Sequence, residues 1–358
     1  MKNAYISNTG NNQQKITELT SPLSLPLEMG GISFLKLNKT IEIVTVPKLA
    51  DKSVNRKNIA IRLDEKLIFK ILSSHYQNVT ITEINTLNDL NNLITRKPDL
   101  VFSGVKYFNF DDKEIWLNDY LDLYDIAYMA SSRKALDAEY DKSRAKDIMR
   151  KMGITTAHYF TAGPGEHLTE GSIPLKFPLF IKPIAAGDSR GVDANSRVND
   201  ITSFIEKVAE IYDSQQSRCL VETYLSGREY SVGIFEDSSS GNLTAMPIEI
   251  IVEENINGDR ILDFKIKSND SEKVIAVTDM EIHRQLSDMA KAAFKALNGK
   301  SIGRIDIMMN HDQIPHFIEA NLMPGLSKGY FYRACSLNLN MSYEEMILKI
   351  TNNALLHN

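Results

Sequence analysis

The sequence predicts a mixed α/β and α+β chain, with a parallel sheet early and antiparallel strands late. Three observations predict it. From residue 40 onward, β-branched runs alternate with amphipathic stretches, the pattern of strands separated by covering helices. Towards the C-terminus, two strand-like runs at 302–309 and 316–321 flank a short polar loop and read as a hairpin. The 358 residues are 43% hydrophobic and 24% charged, which excludes a mainly disordered or fibrous chain. At roughly 100–200 residues per domain, the length implies two or three domains.

Taken in order, residues 1–39 begin polar (Asn11, Asn12, Gln13, Gln14) and read as an irregular arm. A plain flexible tail is the simpler reading of it, and a lid or dimer arm the functional one. IEIVTV (41–46) reads as a strand, 57–76 as a helix from about Ile59, NVTITEI (78–84) as a strand and 86–97 as a helix. Pro98 breaks that helix, and DLVFSG (99–104) reads as a buried strand. Stretches 111–124 and 132–152 read as helix-rich, with Asp141 as an N-cap and Gly153 just past a helix end. PLFIKP (178–183) reads as a strand followed by a loop, AAGDSRG (185–191). RCLVETYL and REYSVGIFED read as two strands joined by Ser226-Gly227. In 281–299, Ile282, Leu286, Met289, Ala293 and Leu297 recur at helical spacing, and 342–356 reads as a last helix.

Composition narrows the function. Forty-one Lys and Arg against 46 Asp and Glu give a net charge of −5, which argues against a dedicated nucleic-acid binder. Two distant cysteines, Cys219 and Cys335, make neither a disulfide framework nor a zinc site, so a reducing compartment is expected. No apolar run reaches the ~18–20 residues of a membrane span, and the N-terminus carries no apolar signal region. The expected location is the cytoplasm.

The chemistry concentrates in 302–330. Side chains alternate along a strand, so Arg304, Asp306 and Met308 share one face, and Phe317, Glu319 and Asn321 share one face of the partner strand. If the two faces coincide, Asp306, Glu319 and Asn321 form an all-oxygen cluster beside an arginine, a donor set suited to Mg²⁺. The plain alternative is a solvated face with a surface Arg–Asp pair. NLMPGLSKG follows at once, and a Pro-Gly turn there can aim a backbone N–H at a reacting oxygen. Lys182 lies in an apolar strand on the same face as Phe180, where burying an ammonium without an anion is costly.

FIEANLMPG resembles the Glu-x-Asn-x-x-Pro-Gly signature of the ATP-grasp superfamily, nearest to the D-alanine–D-alanine ligases and related carboxylate–amine ligases. GRIDIMM resembles their Gly-Arg-x-Asp strand. FPLFIKP with AAGDSRG resembles their lysine strand and phosphate loop, and LVETYLSGREYSVGIF their adenine-linker strands. DKSRAKDIMRKMGITTAHYF resembles the helix that opens their central domain. Motif order agrees over about residues 98–350. The resemblance implies an ATP-grasp fold: a Rossmann-like N-terminal domain (40–140), then two α+β domains (141–220 and 221–358) that clamp ATP.

It further implies that Lys142 and Lys182 hold phosphates, that Gly187, Ser189 and the rest of the glycine-rich loop cover them, and that Lys265 reaches the γ-phosphate. Glu222 and Leu225 match the adenine linker and Glu229 the carboxylate on the ribose, with Phe180, Met308 and Ile318 around the base. Asp306, Glu319 and Asn321 would hold two Mg²⁺ ions, and Arg304 and the Gly325 N–H would be the catalytic donors. The implied reaction joins a small carboxylate to an amine through an acyl phosphate.

The differences concern the substrate. The ligases carry a His-Gly-Gly segment in the first domain, a Ser-Ser pair in the phosphate loop and Lys-Tyr on the mobile loop. Here no His-Gly-Gly occurs, Asp188-Ser189 replaces the serine pair and Ile266 follows Lys265. After Pro-Gly, Lys328, Tyr330 and Arg333 are the candidates to bind an acceptor acid. Expected partners are small carboxylate and amine substrates and a second copy of the chain, with no nucleic acid and no membrane. An ATP-binding regulatory protein and an ATP-grasp enzyme acting on a peptide remain the alternatives.

Overall fold

The computed structural model describes residues 35–46, 60–61, 63–110, 113–185, 187 and 189–356. The expected arm falls almost wholly outside them. Within the described residues the chain forms three larger sheets and one small two-stranded sheet.

The first sheet is built from β1 (Leu37–Thr45), β2 (Tyr76–Glu83), β3 (Leu100–Ser103) and β6 (Ala127–Tyr128), all parallel, in the order β2-β1-β3-β6. Every residue of β3 is buried, as the apolar run Leu100-Val101-Phe102 requires of a central parallel strand. Helices α1 (Glu65–His75) and α2 (Leu87–Arg96) cover this sheet. Thr86 and Asp89 close a reciprocal capping box at the start of α2, and Lys97 ends it in the left-handed conformation.

Two expectations are corrected here. Helix α1 starts at Glu65, not near Ile59, because Asp64 caps it and Ile61 N–H donates to Gly104 O as extended chain. Strands β4 (Tyr107–Phe110) and β5 (Lys113–Trp116) pair antiparallel, and among the described residues of the stretch read as 111–124 only α3 (Leu117–Asp122) is helical. The Tyr107 and Trp116 rings meet at 5.3 Å and help hold the two strands together.

Helices α4 (Arg133–Tyr140) and α5 (Lys142–Lys151) lead into the second sheet. Asp141 caps α5 by accepting from the Ser143 and Arg144 N–H groups. The sheet combines β7 (Tyr159–Ala162), β8 (Leu179–Pro183), β9 (Arg197–Val198) and β10 (Cys219–Thr223) in the antiparallel order β7-β10-β8-β9. It is backed by α6 (Ile201–Gln215), whose Phe204, Val208 and Ile211 are buried against it.

The third sheet combines β11 (Glu229–Glu236), β12 (Leu243–Ile251), β13 (Lys273–Ala276), β14 (Ile302–Met309) and β15 (Pro315–Asn321) in the antiparallel order β13-β12-β11-β14-β15. A short helix, α7 (Phe264–Asn269), precedes β13, and α8 (Met280–Ala296) packs its Leu286, Ala290, Ala293 and Phe294 on the sheet. The chain closes with α9 (Tyr330–Leu339) and α10 (Tyr343–Leu356). The last helix returns to the first sheet, where Tyr76 donates its hydroxyl to Asn352 at 2.6 Å. Among the described residues no helix is long and apolar enough to cross a membrane.

Ser226-Gly227 joins β10 to β11, but the two strands belong to different sheets and do not pair. Gly227 N–H donates to Met309 O at 3.0 Å, and a Cβ at Gly227 would lie 2.4 Å from that carbonyl oxygen and 2.8 Å from Asn310 O. Backbone cannot yield as a side chain can. Gly227→Ala is therefore expected to cost about 1–3 kcal/mol, read as a lower midpoint in urea unfolding.

Candidate active site

A cleft of about 870 Å³, its open mouth included, lies between the second and third sheets. Its walls follow from strand register. On one side, Phe180 and Lys182 alternate along β8, with Glu222 of β10 directly opposite Phe180. On the other, Glu229 of β11 pairs with Met308 of β14, and Ser231 with Asp306.

The β14–β15 ladder contains the decisive irregularity. Arg304 faces Asn321 and Asp306 faces Glu319, but the register then jumps so that Ile307 faces Phe317. Ile318 is the extra residue of a bulge, and a bulge re-aims side chains. Phe317 turns into the core, fully buried, while Ile318 and Glu319 both line the cleft. This corrects the expectation that Phe317 shares a face with Glu319 and Asn321.

The charges alternate. Glu222 is buried between Lys146 at 2.5 Å and Lys182 at 2.6 Å. Burial alone would raise its carboxyl, but the two ammoniums outweigh that and hold it below the ordinary value. Lys142, also buried, stands 3.6 Å from Glu319. Burial works against the Glu319 carboxylate, yet Lys142, Lys267, Lys182 and Arg304 together hold it down at about 2. Asp306 accepts two hydrogen bonds from Arg304, at 3.0 and 2.9 Å, and one from the Ser231 hydroxyl at 2.6 Å.

The sequence-predicted residues divide as follows. Lys142, Phe180, Lys182, Ser189, Glu222, Leu225, Glu229, Asp306, Met308, Ile318 and Glu319 all line the cleft. Arg304 stands behind Asp306 with its guanidinium 5.5 Å over the Tyr330 ring. Asn321 sits opposite Arg304 and turns its amide oxygen to the Met323 N–H at 3.3 Å. Gly325 is half-buried, with open space where a Cβ would stand. Gly187 is exposed and does not line the cleft.

Three placements differ from expectation. Lys265 is exposed on α7, and Lys267 lines the cleft instead. Two residues span about 200° around a helix, so the two lysines cannot share a side. Arg333 is engaged by Asp270 and by Glu272, whose side chain is 1% exposed and so requires a cation. Lys328 points to solvent. Of the proposed acceptor-binding trio, only Tyr330 stays beside Arg304. Burial and the Glu272 carboxylate push its phenol far up, so it remains protonated.

Sequence reasoning missed Lys146, Lys267 and Glu139. Glu139 is buried on α4, where it accepts from the Leu322 N–H directly after Asn321 and pairs with Lys106 at 3.1 Å. Its carboxyl is raised, first by burial, with Lys106 opposing. Lys146 had a legible signal. It falls one turn after Lys142, on a face otherwise filled by Ala145 and Met149.

Residues 148–352 match the family model for the D-ala D-ala ligase C-terminus, which is more than half of the chain. The chain belongs to this family. Among its relatives, a D-alanine–D-alanine ligase from Lactococcus lactis subsp. cremoris strain SK11 is 25% identical over 240 residues, covering 65% of this chain and 66% of the relative. One from Bacillus anthracis is 26% identical over 277 residues, covering 76% and 85%. Against the first of these, the match spans just under two thirds of the relative's length. The crystal structure of the Bacillus anthracis D-alanine–D-alanine ligase complexed with ATP superposes with a TM-score of 0.64 at 19% identity, over 88% of this chain and 97% of that one. The VanG D-Ala:D-Ser ligase of Enterococcus faecalis superposes with a TM-score of 0.65 at 18% identity, over 89% and 100%. The fold is ATP-grasp, as in these family members.

Glu229 offers a test of the cleft electrostatics. Burial lifts its carboxyl from 4.5 to about 7, with Lys267 opposing and Asp306 and Glu319 adding to the rise. Between those values the folded chain keeps a proton that the unfolded chain has released. Stability therefore falls as pH rises through that window. In protein free of nucleotide and metal, Glu229→Gln should remove this slope. The melting temperature of the variant relative to wild type then climbs from pH 4.5 to 7.5 in thermal scans, whereas a pH-independent difference would contradict the assignment.

Proposed function

We propose that the protein is an ATP-dependent carboxylate–amine ligase that forms an amide or peptide bond between small molecules, amino acids or close analogues, through an acyl phosphate. The observation that carries this reading is the convergence on one cleft of Lys142, Lys182 and Lys267 with Asp306 and Glu319, Asp306 being held from behind by Arg304. Cations for a triphosphate and oxygens for its counter-ion line the same space. The names of the relatives, ligases that join D-amino acids, point the same way.

The residues divide the work. The ammoniums of Lys142 and Lys182 hold the phosphates as point charges, and Lys267 takes the place at the terminal phosphate first assigned to Lys265. Phe180, Met308, Ile318 and Leu225 pack around the base, with Glu229 near the ribose. Asp306, Glu319 and Asn321 suit Mg²⁺, which takes few protein oxygens and completes its shell with phosphates and water. Asp306 has lone pairs left beyond its three hydrogen bonds, and Glu319 is held ionised, so both fit that role. When bound, the ion neutralises phosphate charge.

A substrate carboxylate oxygen bonds to the γ-phosphorus as the bond to the β-bridging oxygen breaks, which releases ADP. The amine nitrogen then bonds to the acyl carbon, loses a proton, and phosphate leaves with the electron pair of the broken C–O bond. Arg304 faces the charge that develops on the acyl phosphate, and the Gly325 N–H is the second donor. Because Arg333 is held by Asp270 and Glu272 and Lys328 points to solvent, Arg304 and Tyr330 are the groups left to face the acceptor. Cellular ATP as co-substrate places the enzyme in the cytoplasm, and we propose that it acts as a homodimer.

The reading is tested by phosphate release from ATP across pairs of amino acids, with mass spectrometry of the products. Arg304→Ala should lower kcat by roughly 10²–10³-fold, the scale of losing one transition-state donor, and leave the nucleotide Kd within a few-fold. Equal turnover by the variant overturns its role. Nucleotide binding with no turnover on any pair would point to a regulatory protein.

A further inference from the structure

Lys146 is a buried charged group at the back of the cleft that the proposed mechanism leaves unused. It is fully buried, stands behind the cleft rather than on its surface, and has three protons to place. Its ammonium donates to Thr156 Oγ1 at 2.6 Å and to Phe317 O at 3.2 Å, and it pairs with Glu222 Oε1 at 2.5 Å. The first two oxygens belong to one seam. Thr156 donates its own hydroxyl to Phe317 O at 2.8 Å, and Phe317 N–H donates to Thr155 O at 2.9 Å. One ammonium therefore ties β10 of the second sheet to β15 of the third, at residues beside Glu222 and Ile318 in the cleft wall.

We infer that Lys146 is a positioning residue for base recognition, which fixes Glu222 as an ionised acceptor aimed at the amino edge of the purine without itself meeting the nucleotide. The inference rests on the ATP reading above. Glu222 has two ammonium partners, and only one lies in the cleft. Lys182 must share its charge with phosphates once a nucleotide enters, while Lys146 has no such competitor and keeps the carboxylate charged and in place. Burial pulls the Lys146 ammonium down to about 8 against the opposing pull of Glu222, consistent with a proton kept only because that partner is there. An ionised carboxylate can only accept hydrogen bonds. It welcomes the 6-amino group of adenine and faces a bare acceptor in hypoxanthine, which carries a carbonyl at that position.

The experiment compares ATP and ITP by titration calorimetry and by steady-state KM, on the full chain with Mg²⁺. Wild type is expected to bind ATP more tightly than ITP by roughly tenfold or more, the scale of one hydrogen bond to a charged group. In Lys146→Met, ATP should weaken by that factor while ITP changes little, so the ratio collapses towards one and KM for ATP moves more than kcat. Thr156→Val, which removes one acceptor and not the lysine, should narrow the ratio in part and serves if the methionine variant does not fold. A folded variant with an unchanged ratio, or one that weakens both nucleotides equally, overturns the inference, as does a wild type that binds both alike. A wild type that binds no ATP overturns the ATP reading itself.

Discussion

Glu222, held between Lys146 and Lys182, is the contact on which the arrangement of the cleft depends. Three charges stand there with almost no access to water, and an isolated ion in such a place would cost many kilocalories per mole. Alternation makes it tolerable, because each ammonium is satisfied by a carboxylate oxygen and the carboxylate by two ammoniums. Removing one member of such a set leaves the others uncompensated, at a cost of about 3–5 kcal/mol. The set also spans elements far apart in sequence: Lys146 on α5, Lys182 on β8 and Glu222 on β10. Helix, sheet and cleft wall are thus held in one relative position, and the second sheet meets the third through the same lysine.

The opposite wall follows a different logic. Asp306 and Glu319 are neighbours across β14 and β15, two like charges that would repel if left alone. Arg304 clamps the first from behind and Lys142 stands before the second, so the two carboxylates can stand side by side. The bulge at Ile318 then places an apolar side chain next to an ionised one on the same surface. A base needs flat apolar contact and its phosphates need charge within a few ångströms, and a strictly alternating strand cannot present both from adjacent residues.

Much of this was legible beforehand, for identifiable reasons. Strand runs such as IEIVTV and DLVFSG name themselves, since buried parallel strands are rich in β-branched and other apolar residues, and Asp141 was readable as a cap. The nucleotide wall was legible because its residues lie in short motifs whose order agrees with a family. What stayed hidden was geometry that spacing cannot encode. Strict alternation sends Ile318 to the far face, and nothing in HFIEAN announces the slip. The strand at Lys113–Trp116 fell inside a stretch read as helix because the contact that holds it, Tyr107 with Trp116, is made to a partner strand rather than along the chain. Lys267 was passed over for Lys265 because a two-residue difference matters only once the segment is known to be helical.

The fate of Arg333 shows how a plausible binding residue can become a fastening. Glu272 is buried at the start of the segment leading into β13, and Asp270 caps the C-terminal end of α7. Arg333, one turn into α9, answers both. The other end of the same segment is held as well, since Asp259 pairs with Arg197 of β9 at 2.5 Å and accepts from the Tyr224 hydroxyl at 3.3 Å. Between these two fastenings lie Arg260, Ile261, Leu262 and Lys267, all of which line the cleft. The reach of Lys267 is therefore set by ion pairs at both ends of its segment. An arginine expected to meet substrate acts one step back, on the helix that presents the lysine.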